Sequence, residues 1–456
     1  MSQIQTDPPP APAVHEPAPP PRIVIVGGGA GGLELATRLG HRLGRRGHAE
    51  VTLVDASLTH LWKPLLHEVA SGTLDSQDDE VSFLAHAKRH HFRFQLGTMA
   101  GLDRARRTLL LAAIDDEDGH IMIPGRELPY DKLIVAIGSV SNDFGVEGVR
   151  EHCLFLDSRE QADRFQHIFL THFIKAQTQA VPPGEGQMKV ALIGGGATGV
   201  ELAAELHHVS RLLVAYGFDR IVPERDLKLV LIEAAERLVP AVPERISQIA
   251  ERELRRIGVE VHTGTLVTRI TREGVETRNG VCFPARFKVW TAGIRAPCFL
   301  STLGLQTNRS GQLMVRPTLQ SVDDDDVFAI GDCAACPSGV GTTILPPTAQ
   351  AAHQQALLLA RSLAGQVRKG RPLEAFQFVN LGGFVSLGGH TATGTLMGNL
   401  LGKVAATLII EGWLARFTYR LLYRKHQWAI HGGVRTVLMV LTDWATRRGR
   451  ARLKLH

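Results

Sequence analysis

Short apolar runs along the chain are each followed by glycines and then by a helical repeat. Ile23 to Val26 (IVIV) puts four apolar residues in a row, the pattern of a strand covered on both faces. GGGAGGLELATRLG comes next, with its apolar residues at helical spacing, and VTLVDAS supplies a second run ending at Asp55. The same order returns in KVALI, GGGATGVELAAEL and LKLVLIEAAE, which ends a strand at Glu233. Three more runs end in small residues: LIVAIGS (Leu133 to Ser139), VWTAGI (Val289 to Ile294) and VFAIGDCA (Val327 to Ala334). Strands alternating with helices predict an α/β chain with two Rossmann-like units.

The glycines give those units their chemistry. Gly27, Gly29 and Gly32 fit G-x-G-x-x-G, as do Gly194, Gly196 and Gly199. Such glycines let backbone approach a pyrophosphate, the helix N-terminus attracts its charge, and an acid at the next strand end takes ribose hydroxyls. Asp55 stands 23 residues after Gly32; Glu233 stands 34 after Gly199, a longer gap assigned to a loop around AYGFDRIVPERD. A carboxylate at the ribose repels a 2′-phosphate, so Glu233 predicts NADH over NADPH. A glycine triplet alone is weak evidence; the flanking strands and acid make it a dinucleotide unit. Two units argue for two dinucleotides, and FAD held tightly with NAD(H) exchanging is a partnership that fits.

Composition narrows the class. The 456 residues suffice for two or three domains, and 44% apolar with 21% charged residues excludes wholesale disorder. A mean hydropathy of +0.01 is too polar for a multi-span membrane protein. The glycine-rich, charge-free run from Ala375 to Gly402 fits turns and close backbone contacts, and Cys333 to Ala360 holds three prolines; neither reads as a spanning helix. Residues 1–21 are proline-rich and are expected to be a disordered or extended leader without a secretory signal. Five cysteines with a single CxxC, Cys333 and Cys336, make no disulfide framework and no metal site, and point to a reducing cytosolic compartment. The net charge is +6, yet residues 402–456 hold eleven Lys and Arg against two Asp and Glu, which leaves −3 for the rest.

On these residues the chain resembles the type II NADH:quinone oxidoreductases, single-subunit respiratory dehydrogenases of the bacterial inner membrane. The match runs from about Arg22 to His456. It is carried by HLWKPLLHEVASGTLD (His60 to Asp75), GSVSNDFGVEGV (Gly138 to Val149), GGGATGVELAAELHH (Gly194 to His208) and PPTAQAAHQQA (Pro346 to Ala356). The resemblance implies one non-covalent FAD, NADH as substrate and hydride transfer to flavin. Electrons then pass to a membrane quinone, ubiquinone or menaquinone, without proton pumping. It implies that Asp332 binds the FAD ribityl chain. Ala136, Gly138, Gly293, Lys63 and Ala349 join the cofactor site, and Gln350 and Gln354 of the AQ-x-A-x-Q stretch, which includes Ala352, lie at the quinone mouth. Glu201, two residues after Gly199, is placed near nicotinamide and flavin with a role in proton delivery. Plainer roles stay open: the glutamines as caps of backbone groups, Lys63 at the surface, Glu201 as a helix N-terminal acid like Glu34 in the first unit. One departure is recorded: Val379 and Asn380 stand where many relatives carry a lysine followed by Asp, so no proton relay through that lysine carries over.

The implied organisation is a leader at 1–21, an FAD-binding domain at 22–150 and 289–401, an NADH-binding domain at 151–288 and a tail at 402–456. Related disulfide reductases and sulfide:quinone oxidoreductases are the alternative, but their cysteines sit elsewhere. The tail reads as two amphipathic helices. Arg416, Arg420 and Arg424 share one face against Leu414, Phe417, Leu421, Leu422 and Trp428; Val434, Val437, Leu438, Leu441 and Trp444 line the second. Arginine with Trp and Leu fits a monotopic anchor on an anionic membrane, at the cytoplasmic face of the inner membrane, better than a nucleic-acid arm. A homodimer through the same helices is the competing role.

Overall fold

The computed structural model describes residues 19–75, 80–116, 118–178, 188–338, 343–387, 392–397, 407–411 and 427–446, together with 421, 424 and 453. In chain order the first unit contains β1 (Arg22–Val26), α1 (Ala30–Arg42), β2 (Glu50–Asp55), α2 (Leu66–Ser71), α3 (Phe83–His90), β3 (Arg93–Leu96) and β4 (Lys132–Val135). The second contains β5 (Leu154–Phe155), α4 (Arg159–Thr178), β6 (Met188–Ile193), α5 (Ala197–Ala215), β7 (Leu227–Ile232), α6 (Glu244–Arg256), β8 (Glu260–His262) and β9 (Phe287–Trp290). The chain then returns with β10 (Val327–Ala329) and α7 (Ala349–Lys369). It continues through β11 (Gly382–Ser386), β12 (Ala392–Met397), β13 (Thr407–Glu411) and α8 (Gly433–Thr446).

Each unit builds a five-stranded parallel sheet, in the order β10-β4-β1-β2-β3 and β5-β9-β6-β7-β8. The strands are runs of Val, Ile and Leu because both sheet faces are covered, and β-branched side chains suit a pleated, buried surface. Strand order reverses beside β1 in the first sheet and beside β6 in the second. Ligands of open parallel sheets bind at such reversals, beyond the strand C-termini. Both glycine motifs sit there. β10 pairs Val327 with Leu133, so residues 194 positions apart in sequence complete the first sheet.

Packing crosses the sequence order. α1 and α7 approach closely where Gly31 faces Ala352; a Cβ on Gly31 would lie 3.3 Å from the Ala352 Cβ. α2 belongs in sequence to the first unit, yet Leu66, Val69 and Ala70 are buried with Phe165, Phe169, Leu202 and Leu206 of the second. β11 adds Val385, and the residue after it Leu387, to the same core. Each such Leu or Val is worth roughly 1.5–3 kcal/mol by burial, which is what keeps α2 and β11 on α5.

The glycine-rich run after Ala375 forms β11 and β12, which pair antiparallel from Gly382 opposite Leu396 to Ser386 opposite Ala392. Among the described residues no helix is long and apolar enough to cross a membrane. α8 covers the second amphipathic stretch of the tail and exposes Val437, Leu438, Val440 and Leu441. Leu421 and Trp428 are exposed as well. Residues 1–18, Arg416 and Arg420 lie outside the described residues.

Candidate functional site

The two glycine loops share one geometry. In the first, Gly27 has φ +101, and a Cβ there would lie 2.4 Å from the Ala136 carbonyl oxygen. A Cβ on Gly32 would lie 1.8 Å from the Gly27 oxygen. In the second, Gly194 has φ +112 against Thr291 and Ala292, and a Cβ on Gly199 would sit 2.0 Å from the Gly194 oxygen. The outer glycines of each triplet are thus demanded by the protein itself. The middle ones are not: a Cβ on Gly29 or Gly196 would meet no protein atom within 4 Å. Both are the N-caps of their helices, and neither helix has a side-chain cap. Open backbone at an uncapped helix N-terminus is the geometry that receives an anion, so both loops fit a dinucleotide pyrophosphate.

The acids fit too. Asp55 Oδ2 accepts from Gly28 N at 2.5 Å and its Oδ1 from Ser57 N at 2.8 Å. Glu233 Oε2 accepts from Gly195 N at 2.5 Å and its Oε1 from Ala235 N at 2.7 Å. Each carboxylate therefore ties its strand end to its glycine loop and keeps lone pairs for a ribose. Burial pushes the Asp55 carboxyl above the usual range, and the Gly28, Ser57 and Ala56 amides pull the other way. His60 Nδ1 reaches the Gly28 carbonyl at 2.8 Å, and burial lowers this imidazole to about 4, so it is neutral and braces the loop.

Asp332 is brought to the end of β4 by the returning chain. Ser139 Oγ donates to Asp332 Oδ2 at 2.8 Å, and Lys63 Nζ donates to the Ser139 carbonyl at 2.7 Å. Gly138 beside them has φ +75 with open space where a Cβ would be. Gly293, φ +62, lies at the other crossing against Phe144, and Ser141 there pairs with Ile294. α7 starts next to this group, with Thr348 accepting from Ala351 N at 3.1 Å. Its glutamines diverge. Gln355 is buried and its Oε1 accepts from Gly331 N at 2.7 Å, fixing the turn that carries Asp332. Gln354 clasps the Val379 backbone, its Nε2 donating to the carbonyl at 2.7 Å and its Oε1 accepting from the N–H at 3.0 Å. Gln350 and Ala349 are both half-buried in the first turn of α7. Gln355 was not singled out by its motif; only its fold position identifies it.

The two helix acids part company here. Glu34 is fully buried between Arg38, 2.8 Å away, and His353 of α7, 2.5 Å away, so it ties α1 to α7. Glu201 is 6% exposed, and its Oε1 accepts from Ser386 N of β11 at 3.0 Å. Its Oε2 lies 3.5 Å from Nδ1 of His67 on α2. Burial raises Glu201 to about 8, with Glu68 and Glu205 adding repulsion, so it holds a proton at neutral pH. His67 was not foreseen as part of this group. Cys333 and Cys336 are both buried, and burial raises their thiols to about 12 and about 11. Neither is a ready nucleophile at neutral pH.

The chain matches the pyridine nucleotide-disulphide oxidoreductase family over residues 21–356. It is 43% identical over 443 residues to the type II NADH:quinone oxidoreductase of Haemophilus influenzae, covering 94% of this chain and 98% of that one. The type II NADH:quinone oxidoreductase Ndh of Mycobacterium tuberculosis is 26% identical over 93% of this chain and 88% of its own. In fold, it is similar to the structure of NDH2 from Plasmodium falciparum in complex with NADH. That likeness has a TM-score of 0.78 and 18% identity, over 95% of this chain and 100% of that one. The sulfide:quinone oxidoreductase of Aquifex aeolicus gives a TM-score of 0.70 at 18% identity, over 90% and 91%.

Proposed function

The chain belongs to the type II NADH:quinone oxidoreductases, and from that premise we propose which of its residues serve the oxidation of NADH and the reduction of quinone. It is a flavin-dependent NADH:quinone oxidoreductase. The observation that carries the residue assignment is the pair of open middle glycines at uncapped helix N-termini, each with an acid tied to its own loop. The first unit takes the flavin nucleotide, read as FAD. Gly29 and the start of α1 receive the pyrophosphate, Gly27 and Gly32 keep the loop tight, and Asp55 takes the ribose. Asp332, steadied by Ser139 and the Gln355-held turn, takes the ribityl hydroxyls. Gly138, Ala136, Lys63, Gly293 and Ala349 shape the ring site. When bound, the flavin accepts a hydride from NADH and passes two electrons to quinone.

The second unit takes NADH: Gly194, Gly196 and Gly199 at the pyrophosphate, Glu233 at the adenosine ribose. Gln350 donates a neutral hydrogen bond to a quinone carbonyl, ubiquinone or menaquinone. Gln354 assists by holding Val379 with one amide N–H to spare. Glu201 supplies a proton. Anaerobic addition of NADH to the purified enzyme should bleach the flavin, and a water-soluble quinone should restore it. Extraction of FMN instead of FAD would sink the reading of the first unit.

The quinone is a membrane solute, and the tail is the segment suited to reach it. Exposed Val437, Leu438 and Leu441 on α8 with Trp428, amid the tail's basic excess, support interfacial docking on an anionic membrane at the cytoplasmic face of the inner membrane. Flotation with anionic vesicles should be lost on Leu438→Asp with Leu441→Asp. Unchanged flotation, with a monomer formed from a dimer, would instead assign the face to homodimer contact.

A further inference from the structure

His67 is a buried imidazole without an assigned task. Its side chain is 2% exposed, and burial lowers it to about 4, with the Pro64 carbonyl pulling the other way. Nδ1 faces Glu201 Oε2 at 3.5 Å; Nε2 faces Glu68 Oε1 at 4.0 Å and has no hydrogen-bond partner among the described residues. Glu68 is 26% exposed, whereas Glu201 is closed off under Ser386. One ring thus stands between a buried acid and a half-exposed one. The elements that hold it come from different parts of the chain: α2 carries His67 and Glu68, and α5 carries Glu201 and Glu205. β11 presents the Ser386 amide, and α4 faces the same core with Phe165 and Phe169.

We propose that His67 is a positioning residue that reloads Glu201 with a proton from the solvent side, by way of Glu68. This rests on the reading of Glu201 as the proton source for quinone. The stoichiometry calls for one such proton. The overall reaction is NADH + H⁺ + quinone → NAD⁺ + quinol: the hydride carries two electrons and one proton, and the second proton comes from water. Glu201 gives its proton up as the quinol forms. His67 then takes a proton at Nε2 from Glu68 as it passes its Nδ1 proton to Glu201 Oε2; Glu68 is reprotonated from water, and rotation of the ring about its Cβ–Cγ bond resets it for the next turnover without drawing the proton back from Glu201. Nε2 is left without a hydrogen bond in the resting fold, so it is open to a proton from Glu68, and closing gaps of 3.5 and 4.0 Å needs only side-chain shifts.

The test uses the flavin-loaded enzyme and the variants His67→Leu, Glu68→Gln and Glu201→Gln. Bleaching by NADH should keep its rate in His67→Leu, while reoxidation by a water-soluble quinone slows by about tenfold or more and gains a solvent isotope effect. A readout independent of turnover is the infrared band of the protonated Glu201 carboxyl. It should be present in the wild type at neutral pH, absent in Glu201→Gln, and titrate at a different pH in His67→Leu. A wild-type quinone step together with an unshifted band in His67→Leu overturns the relay. If His67→Leu does not fold, Glu68→Gln decides: slowed reoxidation with normal bleaching supports the relay, and a wild-type rate refutes it. A wild-type quinone step in Glu201→Gln would instead remove the underlying role of Glu201.

Discussion

Replacing Gly196 by Ala separates a glycine kept for a ligand from one kept for the fold. Gly196 has φ −69 and ψ −176, backbone that any residue adopts, and a Cβ there meets nothing within 4 Å. The stability terms are small and opposed. Alanine stiffens the unfolded chain, worth about 0.4–1 kcal/mol, and is a poorer N-cap than glycine by a similar amount. The melting temperature should therefore stay within a few degrees of wild type. The new methyl, however, stands where the phosphate would meet the backbone N–H groups at the start of α5. Loss of one charge-assisted hydrogen bond is worth about 1.5–3 kcal/mol, or roughly a tenfold to hundredfold rise in the KM for NADH. Gly199→Ala is the contrast. Its Cβ would lie 2.0 Å from the Gly194 oxygen and 2.8 Å from Thr291 Oγ1, so backbone must move. Forced overpacking costs about 1–3 kcal/mol or more, and the melting temperature should drop by about 2–4 °C for each. Thermal unfolding and steady-state kinetics on the two variants suffice. A stable Gly196→Ala enzyme with wild-type KM for NADH would refute the reasoning, as would equal destabilisation of both.

Acid should weaken the fold through its buried histidines. Burial lowers His60 to about 4 and His90 to about 4, and burial with His90 and His431 nearby lowers His86 to about 2. The unfolded chain protonates them below about 6.5 and the native one does not, so their contribution is intact above that pH and is lost as pH falls towards 4. Each costs up to about 1.4 kcal/mol per pH unit, and a melting temperature unchanged from pH 7 to pH 5 would contradict this. Glu233→Gln removes the charge beside the expected ribose while leaving a carbonyl for Gly195 N. The ratio of kcat/KM for NADPH to that for NADH should rise by about tenfold, and a fixed ratio would move cofactor choice elsewhere. Cys333→Ala and treatment with a thiol reagent should each leave NADH:quinone turnover near wild type, because both CxxC thiols are buried and protonated. Inactivation reversed by dithiothreitol would reopen a disulfide mechanism.

Both dinucleotide units were legible before any coordinates. Their physics is local: a strand, a tight turn that only glycine fits, a helix N-terminus and an acid at the next strand end lie within a few dozen residues. The apolar face of the tail's second stretch was legible for the same reason, since α8 needs only helical spacing; most of the first stretch lies outside the described residues. What pairs with what was not. Ser139 with Asp332, Glu34 with His353, and His67 with Glu201 are separated by 193, 319 and 134 positions, and no periodicity relates them. Glu34 and Glu201 hold equivalent places after their glycine triplets, and the motif treats them alike. Tertiary packing makes them different: α7 hands Glu34 the His353 ring to add to Arg38 of its own helix, which keeps it a strut, while α2 and β11 close over Glu201 and leave it a protonated acid. The sequence by itself determined that two nucleotides can bind. The return of α2, α7 and β11 across the domains decided which buried groups are left with chemistry to do, because desolvation and long-range contacts exist only in the folded chain.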